Sequence, residues 1–184
     1  MSRGYTLIEL MLVCTLVFIV CAISIPTFFN KPNYDLDNEL SKLEVIFTYL
    51  QQRARATNQT QTATIDIKNN CVTWNRNGKQ ASHTLAQTLQ FGFLSGSHGP
   101  PANPTGPIVQ AITFVKGGSQ VLAWDDKKSE PPFVEFFSNG KISSGSIYIT
   151  DKKQQIMGAL TLGVSQVSYI RRYVYQSKQW IVRK

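Results

Sequence analysis

The sequence predicts an α+β protein in which an N-terminal hydrophobic spine helix is followed by an antiparallel β-sheet domain. An apolar stretch runs from Tyr5 to Ile25, and a second stretch, from Tyr34, carries one apolar stripe at helical spacing. After these, short runs rich in Thr, Val, Ile and aromatic residues alternate with Gly, Pro and Asn, which favours strands joined by turns. The chain of 184 residues is long enough for one soluble domain with its own core.

The first apolar stretch has the length of a membrane helix. Its roughly 21 residues would extend about 31 Å as a helix, and a bilayer has a hydrocarbon core of about 30 Å. Glu9 is its one charged residue, and a carboxylate there costs about 2.5–3.5 kcal/mol on insertion scales. No cationic residue lies between Tyr5 and Asn30. We therefore expect the partner of Glu9 to come from outside the segment.

Only four residues precede this stretch, and the last of them is Gly4. A secretory signal has a longer basic region and a small-residue cleavage site after its apolar core, whereas Gly4 lies before the core. The single cation Arg3 is weakly consistent with a cytoplasmic N-terminus. A plain single-span anchor with a chance glutamate is the alternative interpretation.

The order of Gly4, an aromatic residue and Thr6-Leu7-Ile8-Glu9-Leu10-Met11 resembles the leader junction of type IV pilins and pseudopilins. The resemblance implies that a prepilin peptidase cuts between Gly4 and Tyr5 and methylates Tyr5, and that Glu9 pairs with the amine of an adjacent subunit during filament assembly. Pro26 lies where many members have a proline that interrupts the helix. The implied organisation is a leader (1–4), a transmembrane and assembly helix (5–29) and a soluble pilin-like domain (30–184).

A second helix is predicted at about residues 34–57, after a polar segment in which Pro32 should interrupt or turn the chain. Its apolar stripe favours docking on the sheet of its own domain over a short coiled-coil seam. The stripe consists of Leu36, Leu40, Leu43, Phe47, Leu50 and Ala54. The run 52–58 is similar to the end of the spine helix in the minor pseudopilin H group, which includes the FimT-type minor pilins.

Turn signals divide the remainder into strands. Asn77-Gly78 predicts a hairpin, and a second one is predicted between 133 and 149 around Asn139-Gly140. The latter segment also resembles the C-terminal sheet of the H group. Strand-like runs follow at 156–162, 164–175 and 179–182. The Gly/Pro-rich loop 95–107 is either functional or mobile, or is a variable surface insertion.

The net charge of +8 is concentrated at the C-terminal end, where no acidic residue follows Asp151. Interleaved tyrosines and a tryptophan suggest contacts to an anion or to DNA, although a solvated sheet edge explains the same charges. Strand alternation places neighbouring side chains on opposite faces, which makes one tight cationic surface less favoured. The candidate contacts are Arg171, Arg172, Lys178, Arg183 and Lys184.

Catalytic and metal-binding patterns are not evident in the sequence, so no enzyme activity, cofactor or metal is predicted. Cys14 and Cys21 lie about 10 Å apart along one helix and cannot form a disulfide within the chain. His83 and His98 lack ligand spacing. The acidic pair at Asp125 is predicted to be a solvated turn rather than part of a calcium site.

The resemblance implies a minor pseudopilin of a type II secretion system, a structural subunit that helps export folded proteins across the outer membrane. A minor pilin of a type IV pilus, for adhesion, motility or DNA uptake, is the alternative, and a membrane-anchored binding module is a remote one. The implied location is the inner membrane, with the domain in the periplasm until assembly. The implied partners are other pilin or pseudopilin subunits, the prepilin peptidase and the membrane.

Overall fold

The computed structural model describes residues 6–29, 31–101, 106–114, 131–164 and 167–183, and it describes side chains in these ranges except at 22–32 and 164–168. Helix α1 covers Leu7–Phe29 and helix α2 covers Lys31–Thr57. The described strands are β1 (Gln61–Asp66), β2 (Cys71–Arg76), β3 (Lys79–Thr84), β4 (Leu89–Phe91), β5 (Ile112–Phe114), β6 (Phe133–Phe136), β7 (Gly145–Asp151), β8 (Met157–Val164), β9 (Val167–Gln176) and β10 (Gln179–Arg183).

The strands form two sheets. The first sheet has the order β3-β2-β1-β6, and the second has the order β10-β9-β8-β7-β4, with β5 also paired to β7. Every strand pair is antiparallel. The predicted class, a helix with antiparallel sheet, is therefore confirmed.

Helix α2 supplies the centre of the hydrophobic core. All six residues of the predicted stripe are fully buried and pack with apolar side chains of both sheets. The ring of Phe47 lies 5.6 Å from that of Phe136, centroid to centroid. Gly158 allows β8 to approach the helix closely, because a Cβ atom there would lie 2.6 Å from Leu40 Cδ1. The stripe thus docks on its own domain, as predicted.

The described side chains of helix α1, up to Cys21, are exposed. Its large apolar side chains from Leu7 to Val20 are 55–81% exposed. Among the residues that the structure describes, no helix is both long and apolar enough to cross a membrane.

The prolines near the junction of the two helices occupy different positions. Pro26 lies inside α1, which continues to Phe29, so the helix does not end at Pro26 as a strict interruption would require. A proline inside a helix removes one hydrogen bond and bends the axis, and such a kink at Pro26 stays a prediction. Pro32 is the second residue of α2, where its missing N–H is tolerated.

One predicted hairpin is confirmed, and the other is present only as a short turn. Asn77 and Gly78 both have positive φ (54° and 79°) and join β2 to β3. Around Asn139-Gly140 the chain folds back on itself, with an antiparallel bridge between Phe136 and Ile142. The longer hairpin does not form, because β6 pairs with β1 and β7 pairs with β8, in the other sheet. Gly140 alone of the two turn residues has positive φ, and the turn carries the chain from one sheet to the other. The turn predicted at Asp125 lies outside the described residues.

Candidate functional site

The first turn of α1 contains a capping box formed by Thr6 and Glu9. The Glu9 carboxylate accepts hydrogen bonds from the backbone N–H of Thr6 (2.9 Å) and from its hydroxyl (3.0 Å), and the N–H of Glu9 lies 3.4 Å from the Thr6 hydroxyl oxygen. Such reciprocal bonds satisfy N–H groups that a helix start leaves without partners. The expectation that Glu9 has no partner within its own segment is therefore wrong. The partner is a local donor, which a search restricted to cations overlooks.

The other residues singled out near the N-terminus are the predicted cleavage pair and two cysteines. Gly4 and Tyr5, the predicted cleavage pair, lie outside the described residues. Cys14 and Cys21 are exposed free cysteines, in agreement with the helix geometry. The Thr15 hydroxyl donates to the carbonyl oxygens of Met11 and Leu12, both at 2.9 Å, which satisfies this polar group within the helix.

The two neighbouring arginines of β9 point to opposite faces, as strand alternation predicts. Arg171 is exposed, and its guanidinium carbon lies 4.2 Å from the ring centroid of Tyr169. Arg172 is 15% exposed and contacts α2, where its Nε lies 2.7 Å from Glu44 Oε2 and its Nη1 lies 2.5 Å from the Ser41 hydroxyl. The Glu44 contact is an ion pair by distance without hydrogen-bond alignment. Arg172 therefore fastens β9 to α2 and does not belong to an exposed cationic surface.

The aromatic side chains near these arginines form a second, smaller core on the other face of the second sheet. Trp180 lies 5.0–6.4 Å from the rings of Tyr148, Tyr173 and Tyr175, measured between centroids. Its indole N–H donates to the carbonyl oxygen of His98 at 2.7 Å. Burial raises the pKa of the Tyr148 hydroxyl. These rings pack on one another, and their suggested contact with nucleic-acid bases stays a prediction.

The loop 95–107 contributes to this second core through its described ends. The backbone N–H of Ile108 donates to the carbonyl oxygen of Ser97 at 2.9 Å, and His98 forms a bridge with Pro107. Ser97 and Ile108 are both buried. The described ends of the loop are therefore part of the packing around Trp180.

The remaining candidate cations occupy different positions. Lys178 is exposed in the turn between β9 and β10, and Lys184 lies outside the described residues. Arg183 lies opposite Arg172 in the strand pairing. It lines an open pocket of about 350 Å³ at the start of α2, together with Asn33, Tyr34, Asp37, Asn38 and Ser41. Among the described candidates, Arg172 and Arg183 thus face α2, whereas Arg171 lies on the opposite face of β9.

Sequence reasoning missed a buried carboxylate. Glu39 is 3% exposed, and its two oxygens lie 2.7 Å from His83 Nε2 and 2.7 Å from Lys42 Nζ. The contact with Lys42 is local, at a spacing of three residues. The contact with His83 joins α2 to β3 across 44 positions, so local residue spacing could not have predicted it. The only indication in the sequence that Glu39 is buried was its position directly before Leu40, a residue of the stripe.

Metal-ligating side chains do not cluster in the part of the chain that the structure describes. No group of three or more His, Cys, Asp or Glu side chains there is placed to hold a metal ion. Burial raises the pKa of the Cys71 thiol, which disfavours its reactive thiolate.

Comparison with models of protein families and with curated protein sequences gives no match. Among solved structures, the fold is similar to a structure of the minor pseudopilin EpsH from the type II secretion system of Vibrio cholerae, with 14% identity, a TM-score of 0.48, and coverage of 75% of this chain and 95% of that one. A crystal structure of the same protein has 14% identity, a TM-score of 0.41, and coverage of 80% and 92%.

Proposed function

We propose that this chain is a minor pseudopilin, a structural subunit of a type II secretion pseudopilus that helps export folded proteins across the outer membrane. The observation that carries the proposal is the contrast between an apolar α1 exposed along its described length and an α2 that completes the domain core. A helix of this composition needs an apolar environment from outside its own domain. Lipid and the helices of neighbouring subunits are the two environments that a filament subunit meets in turn.

Before assembly, the segment 5–29 would lie in the inner membrane with the domain in the periplasm. The 23 residues of α1 correspond to about 35 Å of helix, which matches a hydrocarbon core of about 30 Å with some tilt. The described side chains of α1 end at Cys21, and the sequence continues the apolar run to Ile25. Large apolar side chains gain roughly 1.5–3 kcal/mol each on full burial, so transfer into a bundle of helices requires equivalent apolar neighbours.

The capping box gives Glu9 a defined role in this transfer. While the subunit is stored in the bilayer, Thr6 satisfies the Glu9 carboxylate, which lowers the cost of burying it. The methylated amine of a neighbouring Tyr5, formed by cleavage after Gly4, would then offer a charged partner. Exchange of a local hydrogen bond for an ion pair in a low dielectric favours the assembled state.

A minor pilin of a type IV pilus would use the same N-terminal segment. The DNA-uptake form of that alternative loses support, because Arg172 and the aromatic rings around Trp180 are engaged within the domain. The secretion pseudopilus therefore stays the preferred proposal.

Mass spectrometry of the protein from its native membrane tests the assignment directly. We expect the loss of residues 1–4 and one methyl group on Tyr5. A bulky residue in place of Gly4 should block the cut and leave the precursor in the membrane. An intact Met1 in cells with an active prepilin peptidase would contradict the proposal.

Crosslinking between adjacent subunits tests the role of Glu9. Glu9→Ala should insert into the membrane at least as well as the native chain, because a costly charge is removed. It should be incorporated into filaments less well. Glu135→Ala, which removes a carboxylate from β6, is the matched control and should be incorporated normally. Equal incorporation of the two variants would show that Glu9 has no assembly role.

A further inference from the structure

The open pocket at the start of α2 combines side chains of opposite charge with neutral hydrogen-bonding groups. Its lining comprises Asn33, Tyr34, Asp37, Asn38, Ser41 and Arg183. Its volume of about 350 Å³ is near the lower end of the range for small-ligand sites. The amides and hydroxyls can each donate and accept hydrogen bonds. The pocket is thus suited to a small ligand that carries both a positive and a negative group.

Arg183 is the cation of this pocket that the protein leaves available. It shares one face of the sheet with its strand partner Arg172, because directly opposed residues lie on the same side. The charge of Arg172 is matched by Glu44 at 2.7 Å. Within the described residues, Arg183 has no such ion pair and is exposed. A guanidinium in this position is a suitable partner for a phosphate group.

Asp37 supplies the opposite charge. Its side chain is 46% exposed, and Arg172 Nη1 lies 3.9 Å from Asp37 Oδ1, at the limit of an ion pair. Oδ1 is itself buried and forms no hydrogen bond within the described chain. Because the side chain is nearly half exposed while Oδ1 is buried, the other oxygen, Oδ2, is the one that can accept hydrogen bonds from a ligand ammonium group.

The position of the pocket along the chain indicates which ligand it meets. Asn33 comes four residues after Phe29, the last residue of α1, and even a fully extended chain of four residues spans at most about 14 Å. The headgroup layer on each side of a bilayer is roughly 5–7 Å thick. Tyr34, which is 72% exposed, is of a residue type enriched at this interface. If α1 is the membrane anchor, as proposed above, the edge of the pocket formed by Asn33 and Tyr34 lies at the level of the headgroups.

We infer that this pocket binds the phosphoethanolamine headgroup of a phospholipid in the leaflet from which α2 emerges. The phosphate would accept hydrogen bonds from Arg183, and the primary ammonium group would donate to Asp37. The inference rests on the proposed membrane anchoring of α1. A phosphocholine headgroup carries the same charges but has no N–H donor for Asp37, and a phosphoglycerol headgroup has no cation. These two headgroups therefore serve as chemical controls.

The test uses the full-length protein in nanodiscs that contain phosphatidylethanolamine, phosphatidylcholine or phosphatidylglycerol, with native mass spectrometry to count retained lipids. We expect the native chain to retain phosphatidylethanolamine preferentially. Arg183→Gln should lower retention of all three lipids by about tenfold, since it removes a charge-assisted contact to the shared phosphate. Asp37→Asn should mainly abolish the preference over phosphatidylcholine. Arg171→Gln, an exposed arginine on the opposite face of β9, is the matched control and should behave as the native chain does.

The possible outcomes separate this inference from the proposed anchoring. Flotation of the protein with vesicles reports insertion of α1 and is measured in parallel. Insertion without a headgroup preference, or an equal effect of Arg183→Gln and Arg171→Gln, would overturn the lipid site and leave the anchoring intact. Failure to insert would overturn both. Displacement of bound lipid by inorganic phosphate alone would show an ordinary phosphate site and would also overturn the inference.

Discussion

Helices α1 and α2 have similar lengths, 23 and 27 residues, yet they relate to the rest of the molecule in opposite ways. Helix α2 concentrates its apolar residues in one stripe, and that stripe is fully buried against two sheets of the same chain. Helix α1 is apolar on all sides, and its side chains from Leu7 to Val20 are exposed. A one-sided stripe thus accompanies burial within the domain, whereas an all-round apolar surface accompanies a helix that the domain does not cover.

The largest expected difference between the helices concerns one phenylalanine on each. Phe47→Ala should lower the free energy of unfolding by about 3–5 kcal/mol, because it leaves a cavity beside Phe136. Phe18→Ala, at a side chain that is 76% exposed, should leave the unfolding free energy of the domain unchanged. Urea unfolding of the full-length protein in detergent, followed by tryptophan fluorescence, measures both. A comparable loss in the two variants would show that α1 contributes to the domain core.

The sequence predicted α2 and its contacts well because the relevant pattern is local. The spacing of Leu36, Leu40 and Leu43 identifies one helix face, and only the faces of two sheets were available to cover it. The turn at Asn77-Gly78 was predictable for the same reason, since the two residues themselves determine the backbone conformation.

Features that depend on distant parts of the chain were predicted poorly. The turn at Gly140 was correctly located, but the choice of β1 as the partner of β6 depends on strands more than sixty positions earlier. Arg172 was assigned to a surface because its neighbours are basic, whereas its contacts Ser41 and Glu44 lie on α2. Composition describes how much charge a segment carries, and the fold decides which of these charges are matched internally.

A smaller effect should come from the ionic contact that attaches α2 to the second sheet. Arg172→Gln should lower the free energy of unfolding by about 1–3 kcal/mol, because Glu44 then loses its cationic partner in a partly buried site. Arg171→Gln on the exposed face should change it by less than about 0.5 kcal/mol. The double variant Glu44→Gln/Arg172→Gln should recover part of the loss. Equal effects of the two single arginine variants would contradict the assignment of Arg172 to the interface with α2.

A still smaller effect should come from a carboxylate that, like Glu9, is satisfied by donors three residues away. Asp66 accepts hydrogen bonds from the backbone N–H of Asn69 (3.0 Å) and from its side-chain amide (2.7 Å). These bonds lower the pKa of Asp66 below its ordinary value of 3.8. A carboxylate whose pKa is lower in the folded state stabilises the fold above its ordinary pKa, and the stabilisation is lost as the pH falls through the folded value.

Asp66→Asn should therefore destabilise the domain at neutral pH by less than about 1 kcal/mol, since the site is exposed to solvent. The difference between the native chain and this variant should shrink as the pH falls below about 4. Urea unfolding of both proteins at a series of pH values measures this convergence. A difference that is independent of pH would show that the ionised carboxylate of Asp66 does not contribute.

The smallest expected effect on the domain follows from the removal of α1 altogether. A chain that begins at Asn30 retains α2, whose six stripe residues are already fully buried by the sheets. It also loses the apolar surface between Leu7 and Val20, which is what requires detergent or lipid. We expect this shortened chain to be soluble without detergent and to unfold with the same free energy as the domain of the full-length protein, within about 0.5 kcal/mol.

Circular dichroism and urea unfolding measure this comparison. Both proteins are studied in the same detergent, and the shortened chain is also studied without detergent. Aggregation of the shortened chain, while the full-length protein is well behaved in detergent, would show that the two helices do not separate at Asn30. The conclusion that α2 is buried by its own domain, whereas α1 is buried only by lipid or by other subunits, would then be wrong.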